Sequence, residues 1–358
     1  MSQQNDFVAT VLQRSGNAFA GFAAADMLEA HPEAAESLGS DPLALWRQWL
    51  TSRVEELAVA ISVGKPELFA EQVRWAASLF EARNVAIANI KRSLESLGKV
   101  LEKELPENSQ AVVADYVSAA LAAMDMAPPT TPAEITTDSD EGKLAASYLL
   151  ALLEGDRPKA ISMVHAAASK GASVADLYLR VLAPAQREVG RMWLNDEINI
   201  AEEHFATATT KMVMSQLSGR AEAKARNGKT VVAASVPDNQ HDLGLQMVAD
   251  VFELNGWRTI ALGANVPAVD LVQAVESFQA DLLLISAALG KQLPIVRDTI
   301  AAIRQYDSTR HTKVLVGGTA FAGLADLAEQ YGANGYAANA IDALHLANQL
   351  VGVTDASQ

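Results

Sequence analysis

The histidine best placed for chemistry is His241, in the stretch Asn239-Gln240-His241-Asp242-Leu243-Gly244. An apolar run, Thr230–Val236, precedes it, and an amphipathic segment ending at Gly256-Trp257 follows. The imidazole therefore falls in a loop between a buried strand and a helix. In an open parallel sheet such loops lie at the carboxyl ends of the strands, where ligands bind. One ring nitrogen there can ligate a metal while the polar Asn239, two residues earlier, holds the other. The same position also suits a histidine that merely lines a surface loop. Ser286 closes a second apolar run and Gly317-Gly318 a third. Gly244 and the glycine pair let backbone approach a ligand closely. Each signal is weak alone; on three separate strand ends they describe a pocket for a large ligand with an extended tail.

The elements that must position these residues follow from periodicity. From Thr230 onward, apolar strands alternate with helical patterns: Thr230–Val236, Arg258–Leu262, Leu282–Ser286, Lys313–Gly317 and a short strand near Gly335-Tyr336. Helices are predicted at Leu243–Asn255, Ala268–Phe278, Ile295–Tyr306, Ala320–Tyr331 and Ile341–Gln349. That order predicts a doubly wound parallel sheet, a Rossmann-like domain over 227–358. Upstream, 140–226 is helical and broken at Gly155-Asp156-Arg157-Pro158 and Gly171-Ala172-Ser173, with Pro184 at the start or a kink of the third helix. This predicts a four-helix bundle. Pro128-Pro129-Thr130-Thr131-Pro132 marks a linker over 128–139, since prolines so spaced cannot sit inside a helix. Residues 1–127 read as all-helical. Ser40-Asp41-Pro42 starts one helix, Gly64-Lys65-Pro66 ends it, and a long helix is predicted from Glu67 to Leu105.

Composition narrows the class. The chain has 358 residues, a formal charge of -15 and no cysteine. An acidic balance argues against direct nucleic-acid binding, which needs a basic surface. The lack of cysteine removes disulfides, thiolate metal sites and thioether-linked chromophores, and fits a cytoplasmic protein. No signal peptide and no membrane span are expected. No Walker loop, catalytic triad or metal triad is visible, so an enzyme is not expected.

The set Asn239-x-His241-x-x-Gly244, Ser286, Gly317-Gly318 resembles the cobalamin-binding domain of methionine synthase, corrinoid methyl carriers and corrinoid mutases. The resemblance covers about 229–350. It implies that His241 replaces the cofactor's own base as lower cobalt ligand, and that Ser286, Gly317 and Gly318 line a slot for the displaced tail. Two positions depart from the family pattern. Asn239 stands where the family has an acidic residue, so the hydrogen-bond position is kept without its charge. Ala287-Ala288 follows the serine, where a leucine is usual two residues on.

In the bundle, Trp193 separated by nine residues from Glu203-His204 is similar to the cap of CarH-type light sensors. That resemblance implies that Trp193 and Glu203 hold the adenosyl group of adenosylcobalamin and that His204 lines the same face. Leu194 stands where those sensors carry a second histidine. The domain order resembles photocobilins, which pair cobalamin with biliverdin; without cysteine, biliverdin would bind noncovalently in the N-terminal domain. Trp46, Trp49, Trp75 and Phe80 there suit either a plain core or such a pocket. The reading is a light sensor that acts as a homo-oligomer, dimer or tetramer, or through a downstream signalling protein. The rival is a corrinoid methyl-carrier subunit of a methyltransferase; a third reading is a signalling scaffold that uses cobalamin only structurally.

Overall fold

The computed structural model describes residues 3–35, 40–82, 85–126 and 135–353. The chain divides into two compact units, Met1–Thr131 and Pro132–Gln358. The proline-rich stretch 128–132 expected as a linker lies outside the described residues.

The first unit is all helical: α1 (Gln3–Ala30), α2 (Pro42–Val63), α3 (Pro66–Ala82), α4 (Ile87–Glu104) and α5 (Glu107–Ala123). Asp41 caps α2 by accepting the Ala44 N–H at 3.0 Å, with Pro42 just inside, and Gly64 ends it in the left-handed region at φ 71°. The single helix expected over Glu67–Leu105 is corrected to two. A rod of that length would run to about 58 Å, well past a small domain's diameter. Instead the Val85 N–H turns back to the Phe80 carbonyl at 2.9 Å, and α4 folds against α1. Trp46 and Trp49 are buried, and their indole N–H groups donate to Ala34 O and Ser93 Oγ at 3.3 and 3.1 Å. Phe80 stands edge-on to Trp49 at 4.5 Å.

The second unit opens with the expected bundle: α6 (Asp140–Leu153), α7 (Arg157–Ser169), a third helix running Val174–Leu194, and α10 (Ile200–Ser218). The third helix has three parts: α8 (Val174–Leu177), a π-helical segment (Tyr178–Leu182) and α9 (Ala183–Leu194). Pro184 lies just beyond the widened turn. A proline ring clashes with the carbonyl four residues back in a regular helix, and the wider π turn relieves that contact.

The sheet follows, as β1 (Thr230–Ser235), α11 (Leu243–Leu254), β2 (Arg258–Gly263), α12 (Ala268–Ser277), β3 (Leu282–Ser286), α13 (Leu293–Gln305), β4 (Lys313–Gly317), α14 (Asp326–Gln330), β5 (Gly335–Ala337) and α15 (Ala340–Val351). All pairings are parallel, in the order β2-β1-β3-β4-β5. The helix expected over Ala320–Tyr331 is corrected to a short 3-10 turn, Thr319–Phe321, and the five-residue α14; Gly323, at φ 73°, separates them. The order reverses between β1 and β3, the switch point where such sheets open a crevice. Register aligns Ser235 with Ser286, Ser286 with Gly317 and Gly317 with Ala337, so the strand ends form one level rim.

Bundle and sheet share one apolar core. Met214 and Leu217 of α10 join Leu245, Met247 and Val251 of α11 in it. Across this boundary the Tyr178 hydroxyl donates to Asp250 Oδ2 at 2.7 Å, while Gln246 Nε2 donates to Asp250 Oδ1 at 2.7 Å. Burial holds the Asp250 carboxyl above its ordinary 3.8 despite these donors. Because the folded protein then binds this proton more tightly than the unfolded chain, Asp250 adds stability that is complete below 3.8 and is lost as pH rises through the raised value. Asp250→Asn is expected to remove that segment of the stability–pH curve in urea titrations; an unchanged slope would assign it to other groups.

Candidate functional site

The β1–α11 loop is held by side chains that are themselves buried. Asn239 is fully buried; its N–H donates to Val236 O at 3.1 Å, and its carbonyl accepts from the Asn265 N–H at 3.1 Å. Its side-chain amide is fixed in sense by its neighbours. The His241 backbone N–H donates at 3.1 Å to one end, which must be Oδ1, and Nδ2 donates to the Ser286 carbonyl at 3.2 Å. His241 Nδ1 lies 3.2 Å from the same Oδ1. An amide oxygen only accepts, so Nδ1 carries the ring proton. Nε2 is left with its lone pair on an exposed ring, and it bonds no described residue. That is the protonation pattern a metal ligand needs.

Asn239 is thus more than a neutral copy of an acid. An aspartate could hold the ring but could not donate to Ser286 O. Asn239→Asp is expected to cost about 1–3 kcal/mol in the ligand-free protein, because two buried oxygens would then face each other. Equilibrium urea unfolding checks this; equal stability would mean that the amide bond to Ser286 contributes nothing.

Gln292, which sequence reasoning missed, ties this loop to the next. It is fully buried; Nε2 donates to Asp238 O at 2.9 Å, and Oε1 accepts the Ala288 and Leu289 N–H groups at 2.9 and 3.0 Å. Ser286 ends β3 half-buried, and its hydroxyl bonds no described residue. Gly244 is exposed, and a Cβ there would meet nothing within 4 Å. Gly317 and Gly318 differ from each other. A Cβ on Gly317 would lie 3.2 Å from Ala337 O, whereas on Gly318, at φ 96°, it would lie 2.1 Å from Ala287 O. The neighbouring backbone therefore demands glycine at 318, whatever else the residue touches.

Bundle residues form a second cluster. Trp193 ends α9 with 36% of its surface exposed, so it is not the core anchor its type suggests. Arg191 pins the loop after it through two bonds to Glu197, at 2.7 and 3.0 Å, and one to Glu188 at 2.8 Å. These hydrogen bonds to Arg191 hold the Glu197 carboxyl below its ordinary range. Asn199 caps α10 in a reciprocal box with Glu202. Glu203 Oε1 accepts from the Thr207 hydroxyl at 2.8 Å, which sits 3.2 Å from Gln186 Oε1; Gln186 in turn donates to Thr210, which bonds Tyr148, both at 2.8 Å. Burial pushes the Tyr148 phenol up to about 12, so it remains a neutral end to this chain. His204 is largely exposed, with Nδ1 2.5 Å from Glu203 Oε2.

The two clusters meet through α10. Lys211 Nζ lies 2.7 Å from Asp242 Oδ1, on the residue after His241. No group of three or more His, Asp or Glu that could hold a metal occurs among the described residues. The donor set fits a metal that arrives in its own macrocycle and takes one imidazole from the protein. It does not fit a protein-only cage.

Comparisons with known proteins match the same two regions of the chain. Residues 229–345 match the model of a B12 binding domain, and residues 144–218 match a second B12 binding domain model. A corrinoid protein of Desulfitobacterium hafniense is 25% identical over 208 residues, 56% of this chain and 94% of that protein. The HTH-type transcriptional repressor CarH of Myxococcus xanthus is 31% identical over 141 residues, 39% of this chain and 46% of the repressor. The solved Methanosarcina barkeri monomethylamine corrinoid protein shares the fold, with a TM-score of 0.50 at 17% identity over 59% of this chain and 99% of that one.

Proposed function

This chain carries a corrinoid-binding unit that spans both matched regions, and from that premise we propose a light sensor that binds adenosylcobalamin. In this reading His241 would offer its Nε2 lone pair to the cobalt in place of the cofactor's own base. Asn239 keeps the ring in the right tautomer, Gly244 gives room, and Ser286, Gly317 and Gly318 line the slot for the displaced tail. Trp193 and Glu203 would hold the adenosyl group, with His204 beside them.

The observation that carries the sensor reading is Trp193, an indole left 36% exposed, with Glu203 anchored from inside the same bundle. Such a pair suits the flat base and the sugar of a nucleoside. A methyl carrier has no nucleoside to hold and must leave that face open to a partner enzyme. Glu203 and Lys211 lie eight residues apart on α10, about 12 Å along its axis. One helix thus runs from the proposed upper face to the loop of the proposed lower ligand.

When bound, adenosylcobalamin supplies a cobalt–carbon bond that visible light breaks. Departure of the nucleoside would strip Trp193 and Glu203 of their contacts and free the bundle to shift. The output would be a change in self-association, as dimer or tetramer, or contact with a signalling protein. No enzymatic step is proposed. Among the described residues no helix is long and apolar enough to cross a membrane. Biliverdin in the first unit is the proposed second chromophore, supported by the domain order; in a chain without cysteine it would bind noncovalently.

The rival, a methyl-carrier subunit, draws support from relatives with corrinoid names that align over more of their own length than the repressor does. The deciding experiment is the absorption spectrum and elution volume with adenosylcobalamin, in the dark and after illumination. The sensor reading requires a dark-stable, light-labile spectrum with a changed elution volume. A light-stable spectrum, or uptake of methylcobalamin alone, would overturn it. Co-expression with a haem oxygenase should add a far-red band, and its absence would remove biliverdin.

A further inference from the structure

Asp242 is the N-cap residue of α11, yet its side chain does not cap. Among the described residues, the aspartate, asparagine and serine N-caps with non-helical backbone behave differently. Asp41, Ser139, Asp156, Ser173, Asn199 and Asn339 all accept a backbone N–H of their own helix. An aspartate at this position ordinarily turns onto the helix N-terminus, where unpaired N–H groups and the helix dipole both favour it. Here the carboxylate points out of its own helix to Lys211 Nζ, 2.7 Å away on α10. Asp242 remains three-quarters covered, while Lys211 is 45% exposed. A half-exposed ion pair adds little to stability. The Asp242 backbone is already helical, at φ -104° and ψ -11°, unlike those capping residues, so its side chain is turned off its own helix and what the ion pair supplies is position. It fixes the residue next to His241 to a helix of the bundle.

We infer that Lys211 is a positioning residue. By holding Asp242 it sets the orientation of the His241 loop, and it couples that loop to the bundle helix that carries Glu203 and His204. This rests on the corrinoid reading for what His241 binds, but not for the coupling itself. A second fixed point lies on the same pair of helices: the Tyr178 hydroxyl, which donates to Asp250 two turns further along α11, is also 3.1 Å from the Met214 carbonyl of α10. With α11 held at its N-cap Asp242 and at Asp250, displacement of α10 has to move the histidine loop. The lower ligand would thereby report on the state of the upper face.

Two measurements on the full chain test this, with Lys211→Met as the variant and Lys211→Arg as the conservative control. In the ligand-free protein, hydrogen–deuterium exchange of peptides covering 238–243 should rise in Lys211→Met and stay at the wild-type level in Lys211→Arg. Overall stability should hold, because a half-exposed ion pair adds little to it. In protein loaded with cob(II)alamin, the nitrogen splitting in the electron paramagnetic resonance spectrum reports the histidine-bound fraction. The ratio of histidine-bound to histidine-free cobalt should fall about fivefold or more in Lys211→Met and recover in Lys211→Arg. Unchanged exchange in Lys211→Met would overturn the inference without touching the corrinoid reading. Failure of the wild type to take up cobalamin would overturn the corrinoid reading, while the exchange arm still decides the coupling.

Discussion

His241→Ala is expected to weaken cobalamin binding by about a hundredfold or more, since even the partners that merely orient a metal-bound histidine are worth about 10–100-fold. The ring is exposed, and its one hydrogen-bond partner among the described residues is Asn239, so the ligand-free variant should unfold at nearly the wild-type urea concentration. That separation makes the experiment informative: a loss of affinity cannot be blamed on a loss of fold. The absorption spectrum of any cobalamin still retained should lack histidine ligation. Wild-type affinity in the variant would mean that the Nε2 lone pair serves no metal, however well Asn239 orients it.

Gly318→Ala is the substitution expected to damage the fold most. At φ 96° and ψ 166° the residue occupies a region that only glycine enters readily. An added Cβ would also stand 2.1 Å from the Ala287 carbonyl oxygen, and both groups belong to backbone at the ends of paired strands. Neither side can yield without opening the β3–β4 rim, where Ala287 N–H bonds Gly317 O at 3.1 Å and Ala320 N–H bonds Ala287 O at 3.2 Å. A loss of about 3 kcal/mol or more is expected in urea unfolding of the ligand-free protein. The matching change at Gly317, whose Cβ would meet Ala337 O at 3.2 Å, should cost less. A loss below about 1 kcal/mol at Gly318 would show that the rim can relax.

The sheet half was legible because its information is local. β1 is buried along its whole length and reads as an unbroken apolar run, and the intervening helices carry their own periodicity. The turn after β1 placed His241, Asn239 and Gly244 together from spacing alone. The chemistry of Asn239 was only half legible: acceptance toward the histidine follows from a two-residue interval, but donation to Ser286 O joins residues 47 apart. The break between α3 and α4 carries no proline or glycine signal in the described residues; it is set by how much helix the first unit can pack. Gln292, Arg191 and Lys211 left no trace in the sequence, since a glutamine, an arginine and a lysine on helices look like solvated surface until their distant partners are known.

The π turn at Tyr178–Leu182 has a consequence for where Trp193 points. A π turn accommodates one residue more than the α turn it replaces, so everything beyond it is rotated relative to a regular helix. The two ends of the third bundle helix are thereby set out of phase. The Tyr178 end is keyed to Asp250, while the Trp193 end takes whatever azimuth the extra residue dictates. Deleting one residue within 178–182 would restore the regular winding and turn the distal half by about 100°. The indole would then face a different side of the bundle. Seen this way, the extra residue acts as an indexing tooth, and the direction of the proposed upper-face aromatic is a matter of counting residues as much as of choosing them.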